Sequence, residues 1–158
     1  MRSRASFRNH PIHPMLIVFP IALWIFSLVC DVAYHAGSYN PFWKGMAFYS
    51  MLGGIVGALA AAIPGFIDYL AIRDRQVKRI ATIHMILNLI VVVLFIFNLG
   101  MRFNAAADPD EQLFATILSL VGVLLVAVSG WLGGSLVYVH HVGAQSAADS
   151  VDQERRAA

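Results

Sequence analysis

Residues 80–101 read IATIHMILNLIVVVLFIFNLGM and contain no Asp, Glu, Lys or Arg. As a helix at 1.5 Å per residue, this stretch would extend about 33 Å, enough to cross the hydrocarbon core of a bilayer. Three further apolar stretches of sufficient length occupy residues 14–34, 43–72 and 113–142. None alternates with period two, which argues against a barrel. Because the connections are short, the sequence predicts an all-α integral membrane protein, an antiparallel bundle of four transmembrane helices.

The composition supports a membrane protein. Of 158 residues, 59% are apolar and 13% charged, whereas soluble domains carry roughly 25% charged residues. The bundle is expected to occupy residues 1–143 as one domain, followed by a disordered tail over 144–158. A net charge of +2 is too small to indicate nucleic acid, so the expected partner is the lipid bilayer. A single cysteine, Cys30, excludes an intramolecular disulfide.

The basic residues fall unequally on the two sides of the predicted bundle. Only Lys44 and Arg102 lie on one side, and nine lie on the other: Arg2, Arg4, Arg8, Arg73, Arg75, Lys78, Arg79, Arg155 and Arg156. Cytoplasmic loops carry the excess of Lys and Arg. We therefore expect both termini of this multi-pass chain in the cytoplasm.

The same topology collects most of the histidines in one leaflet. Asp68 and five of the six histidines are expected near the cytoplasmic side: His10, His13, His84, His140 and His141. His84 lies within a predicted span, where ionisable groups are costly and often functional. His84 and Asn88 are one turn apart and share a helix face, although an interhelical hydrogen bond alone would also explain them.

The segment around His13 suits a metal ligand. Pro14 favours the first helical position, which would place His13 at or beside the N-cap. The positive end of the helix dipole disfavours imidazolium, and neutral imidazole is the form that binds metal. Pro64 is expected to bend the second helix and direct Asp68 towards the histidines.

Small residues recur at helix-packing spacing. Gly53, Gly57, Ala61 and Gly65 follow one another every four residues, and Gly130 and Gly134 form a GxxxG pair. Such residues let helix backbones approach closely within one bundle or in a homodimer. They would also leave room for a flat ligand.

Two kinds of metal site satisfy this pattern. Haem b needs two imidazoles, a slot and cations for its propionates. Gly133 lies seven residues before His140, which predicts that the two share a helix face about 10 Å apart, and Arg73 and Arg79 lie at the same surface. A Zn, Fe or Cu ion would instead gather three or four ligands from His10, His13, Asp68, His84 and His140.

Four motifs resemble a known family. They are HPIHPMLIVFPI at residues 10–21, IPGFIDY at 63–69, IHMILN at 83–88, and SGWLGG with VYVH and VG between residues 129 and 143. They resemble the bacterial membrane proteins of the domain of unknown function 2231. The resemblance implies four helices, a bacterial inner membrane and, since relatives occur with cytochrome c-like or Rieske-type domains, electron transfer. It places the family's motif histidines on His10, His13, His84 and His140. His141 and Ser135 depart from the pattern, where glycine and an acidic residue are common.

We therefore expect a haem b-binding electron-transfer protein, rather than a stand-alone enzyme, with a redox partner protein or quinone. His13, His84 and His140 are the candidate axial ligands, and His10 is a further candidate. Asp68 and Asn88 would orient an imidazole, Gly133 would face the porphyrin, and Arg73 and Arg79 would bind its propionates. The alternatives are a non-haem metal protein and a bundle without cofactor.

Overall fold

The computed structural model describes residues 3–8, 10–37, 39–104 and 109–143. These residues form an all-α architecture with one short antiparallel hairpin, whose two-residue strands are β1 (Ser6–Phe7) and β2 (His10–Pro11). The helices are α1 (Ile12–Leu16), α2 (Val18–Ala36), α3 (Pro41–Ala71), α4 (Arg75–Asn104) and α5 (Pro109–Tyr138). With α1 and α2 taken as one span, four segments are long and apolar enough to cross a membrane, as predicted. The expected tail at 144–158 lies outside the described residues.

The first span begins earlier than the sequence predicts and is interrupted. Helix α1 starts at Ile12, so His13 lies within its first turn rather than at its N-cap. Pro14 is tolerated there because the first amides of a helix have no helical acceptor. Pro20 has no N–H to donate to the Leu16 carbonyl, which accounts for the break between α1 and α2 at Ile17.

The later helices have identifiable caps. Asn40 accepts a 3.0 Å bond from the Phe42 amide, and Pro41 occupies the first position of α3. At the start of α4, the Asp74 side chain accepts a 2.9 Å bond from the Val77 amide.

The fourth span ends earlier than expected. Helix α5 stops at Tyr138, and the amides of His140 and Val142 return to the Ser135 and Leu136 carbonyls. His140 therefore lies beyond the helix, which corrects the prediction that it shares a helix face with Gly133.

The helices form two hairpins that are packed more extensively within themselves than against each other. The first hairpin comprises α1, α2 and α3, and the second comprises α4 and α5. Their interface, the seam, contains the core of Trp24, Met51, Ile55, Val91, Phe95 and Val126. Trp24 stacks on Phe95 across the seam with ring centroids 4.4 Å apart. Many large apolar side chains instead face outwards, as a lipid-facing surface requires.

Candidate functional site

Two of the predicted histidines meet at the seam. The imidazoles of His13 and His84 have centroids 6.5 Å apart and perpendicular planes. His13 belongs to the first hairpin and His84 to the second, so each ring is positioned by its own hairpin. The site is therefore a histidine pair that spans the seam.

The His13 imidazole is held by α3. Its Nδ1 lies 2.8 Å from the Ala61 carbonyl oxygen. A Cβ on Gly65 would lie 2.7 Å from the same nitrogen, so only glycine leaves space for the ring. Pro64 donates no bond to the Ala60 carbonyl and loosens this turn of α3. Pro64 and Gly65 thus accommodate His13, instead of directing Asp68 as the sequence suggested.

The His84 imidazole is held by α5 in a similar way. Its Nδ1 lies 2.8 Å from the Ser129 carbonyl oxygen and 3.0 Å from the Ser129 hydroxyl. A Cβ on Gly133 would lie 3.0 Å from the His84 Cε1. The space beside Gly133, which we expected to face a porphyrin, is filled by this imidazole.

These carbonyl contacts define the tautomer of both rings. A carbonyl oxygen only accepts, so Nδ1 carries the proton in His13 and in His84. In the neutral ring, Nε2 then has a free lone pair. Backbone carbonyls bonded to the other ring nitrogen are a common support of histidines that bind metals.

Asn88 is the only polar contact that the structure gives to the His84 Nε2, among the described residues. Its Nδ2 lies 3.1 Å from that nitrogen, 2.8 Å from the His84 carbonyl and 2.8 Å from the Ser129 hydroxyl. An amide group has two hydrogens for these three acceptors. A metal could therefore take the Nε2 lone pair while Asn88 kept two acceptors.

The other candidate histidines lie apart from this pair. His10 is exposed on β2, with its Nδ1 2.9 Å from the Arg8 carbonyl. His140 is half-buried after the end of α5. In the described part of the chain, no three His, Cys, Asp or Glu side chains are grouped to hold a metal ion.

Asp68 binds the N-terminal segment rather than an imidazole. Its carboxylate accepts bonds of 2.8 to 3.1 Å from the Ser3 hydroxyl and from the amides of Arg4 and Ala5. Its oxygens thus accept hydrogen bonds from backbone amides that are not bonded within a helix or a strand. Arg73 and Arg79 are exposed near the same end of the bundle.

A second polar cluster, which the sequence analysis missed, lies at the opposite end. Arg102 donates two 2.6 Å bonds to Asp31, and both side chains are almost completely buried. Arg102 also bonds Asn98 and Ser119, and Asn98 bonds Ser119 and the Ala115 carbonyl. This ion pair joins α2 to α4 across the seam. Asp31 within an apolar run was the available signal, but its partner is 71 residues away.

Comparisons with known proteins identify a family without an assigned activity. Residues 9–146 match the family model described as "Predicted membrane protein (DUF2231)". No curated protein matches, and no solved structure matches.

Proposed function

The chain belongs to the DUF2231 family of predicted membrane proteins, and for this chain we propose that it binds haem b between His13 and His84 and transfers electrons within the membrane. The observation that carries the proposal is the histidine pair across the seam. Each ring is fixed through Nδ1 and has Nε2 available for iron.

The separation of the rings supports a shared metal. Two imidazoles that bind one metal from opposite sides have centroids about 6 Å apart, because each metal–nitrogen bond is about 2 Å long. The centroids of His13 and His84 are 6.5 Å apart. The separation of the two rings therefore matches that of two ligands on opposite sides of one metal.

The number of ligands favours haem over a bare ion. Structural zinc sites use four protein ligands and catalytic ones three. Haem iron in a helical bundle is completed by two axial side chains, since the macrocycle supplies the other ligands. The described residues bring the His13 and His84 imidazoles together and hold no group of three His, Cys, Asp or Glu side chains, which suits haem.

In this proposal the haem macrocycle lies in the seam. The imidazoles already occupy the spaces beside Gly65 and Gly133, so a flat ligand would lie between the hairpins, where packing is less extensive than within them. Arg73 and Arg79, exposed at the same end, would bind the propionates. Haem, when bound, supplies a one-electron couple, and the chain's part is to orient both imidazoles through the Ala61 and Ser129 carbonyls.

This role has consequences for location and partners. We place the protein in the bacterial inner membrane as an electron-transfer subunit rather than a stand-alone enzyme. Because the His13–His84 pair would hold one haem, its electrons would be exchanged with a redox partner protein or a quinone.

The test is the absorption spectrum of protein purified in detergent from haem-sufficient cells. Wild type should show a Soret band that is lost in His13→Ala and His84→Ala. The band should persist in His10→Ala, His140→Ala and His35→Ala, with helix content by circular dichroism unchanged throughout. Colourless protein with stoichiometric Zn or Cu would favour the non-haem alternative. Absence of both haem and metal, even after haem addition, would leave a structural bundle.

A further inference from the structure

Basic side chains dominate the end of the bundle that carries the histidine pair. Six of them are described there, five exposed and Lys78 half-buried: Arg4, Arg8, Arg73, Arg75, Lys78 and Arg79. Two come from the N-terminal arm, residues 3–8 and 10–11, and four from the α3–α4 corner, residues 72–79, which comprises the connection and the first residues of α4. Asp68 bonds the Arg4 amide near the end of α3, so the arm lies beside the start of that connection.

The carboxylates at this end are already engaged by backbone amides. Asp68 binds the arm, and Asp74 binds the Val77 amide. Among the described residues the ion pair found is Asp31–Arg102, at the opposite end. Within the described part of the chain, none of these six basic side chains is paired with a carboxylate, and together they present a surface that favours anions.

The arm presents an apolar side chain together with its charges. Phe7 is 69% exposed, and the Arg8 guanidinium lies 5.7 Å above its ring. The β1–β2 hairpin and a 2.9 Å bond from the Ile12 amide to the Ala5 carbonyl hold the arm against the bundle. An aromatic ring next to a cation is typical of the membrane–water interface.

Exposed apolar residues continue directly below these charges. Phe66 and Leu70 on α3 and Ile83 on α4 face outwards. A molecule with a negative headgroup and acyl chains would contact both the basic side chains and these apolar ones, whereas a free anion would contact only the basic ones.

We propose that the N-terminal arm and the α3–α4 corner together bind the headgroup of an anionic phospholipid, with its acyl chains against Phe66 and Leu70. Clusters of Lys and Arg adjoining a transmembrane helix attract anionic lipids through the same electrostatics. The proposal does not depend on haem binding, because Arg4, Arg8, Arg75 and Lys78 remain for the headgroup when Arg73 and Arg79 bind the propionates.

The experiment compares lipid association by native mass spectrometry, with phosphatidylglycerol and phosphatidylcholine offered to the full-length protein in detergent. Wild type should retain phosphatidylglycerol selectively. Each charge removed should lower that selectivity roughly fivefold. Arg75→Gln removes one charge, and R4Q/R8Q/R75Q removes three and should lower the selectivity further. These substitutions leave Arg73 and Arg79 in place. The control is Lys44→Gln, which removes one charge at the opposite end and should have no effect.

Three results would overturn the proposal. They are equal retention of both lipids by wild type, an equal loss of selectivity in Lys44→Gln and Arg75→Gln, and displacement of the lipid by millimolar inorganic phosphate. The last result would identify a site for free phosphate rather than for a lipid.

Discussion

Gly65 and Gly133 each contact an imidazole of the histidine pair. A side chain at either position would meet His13 or His84 at 2.7 or 3.0 Å. Both rings are bonded to backbone carbonyls, so neither can retreat without losing that bond. These glycines therefore determine where the two imidazoles lie, a more specific role than general helix packing.

Replacing either glycine should weaken the proposed haem site. We expect Gly65→Ala and Gly133→Ala to lower haem affinity on the order of tenfold or more, the usual effect of disturbing the groups that orient a ligand. Haem titration followed at the Soret band measures it. Gly130→Ala is the control, because nothing lies within 4 Å of the Cβ it would add. Equal affinity in all three variants would contradict the assignment.

The buried ion pair depends on both of its residues, Asp31 and Arg102. Asp31→Asn leaves the Arg102 guanidinium buried without a counter-charge, and breaking such pairs costs about 3–5 kcal/mol. We expect a loss of that size in the free energy of unfolding, measured by denaturant titration in mixed micelles. The double variant D31N/R102Q should lose less than the sum of the two single variants. Additive losses would show that the two groups do not interact.

At the scale of elements, the ends of helices decide which residues can meet. Helix α5 ends at Tyr138 and leaves His140 beyond it, whereas α1 begins at Ile12 and includes His13. The N-terminal arm precedes His13 in the chain and is bonded to Asp68 through the amides of Arg4 and Ala5. The position of His13 is thus connected to a carboxylate on α3.

Asp68→Asn should loosen the arm. The substitution replaces charge-assisted bonds to two amides and a hydroxyl with weaker neutral ones. Hydrogen exchange at residues 3–12 should become faster, and phosphatidylglycerol selectivity should fall because the arm carries Arg4 and Arg8. Asp74→Asn is the matched control, since it changes a carboxylate that caps α4 and does not contact the arm. Unchanged exchange in Asp68→Asn would show that the arm is held by other contacts.

At the scale of the whole molecule, two polar clusters are separated by an apolar core. The histidine pair and the Asp31–Arg102 pair both cross the seam, and the Trp24–Phe95 stack lies between them. His84 and Asn98 are 14 residues apart on α4, about 21 Å along a helix. The described residues therefore place a polar cluster at each end and an apolar core between them.

The sidedness of the bundle follows from its charges and can be measured directly. We expect a green fluorescent protein fused after residue 158 to fluoresce, because the count of Lys and Arg places that end in the cytoplasm. Alkaline phosphatase inserted in the connection at residues 37–40 should be active, because that enzyme needs export. The reverse pattern of activities would invert the bundle and with it the assignment of the histidine pair to the cytoplasmic leaflet.

Hydropathy and charge counts were sufficient for the four spans, for the helical class and for grouping His13 with His84 at one end. These properties depend on the identity of residues along the chain, because a bilayer selects for apolar length whatever the helices contact. The same counts did not distinguish His13 and His84 from His10 and His140.

Tertiary packing was needed to select among those candidates. The contact between His13 and His84, the pairing of Asp31 with Arg102 and the binding of Asp68 to the arm depend on the rotation of each helix and on where it ends. Rotation is set by distant residues such as Gly65 and Gly133, which admit an imidazole only when the facing helix presents one. Helical periodicity defines a face, and only the neighbouring helix defines what that face meets.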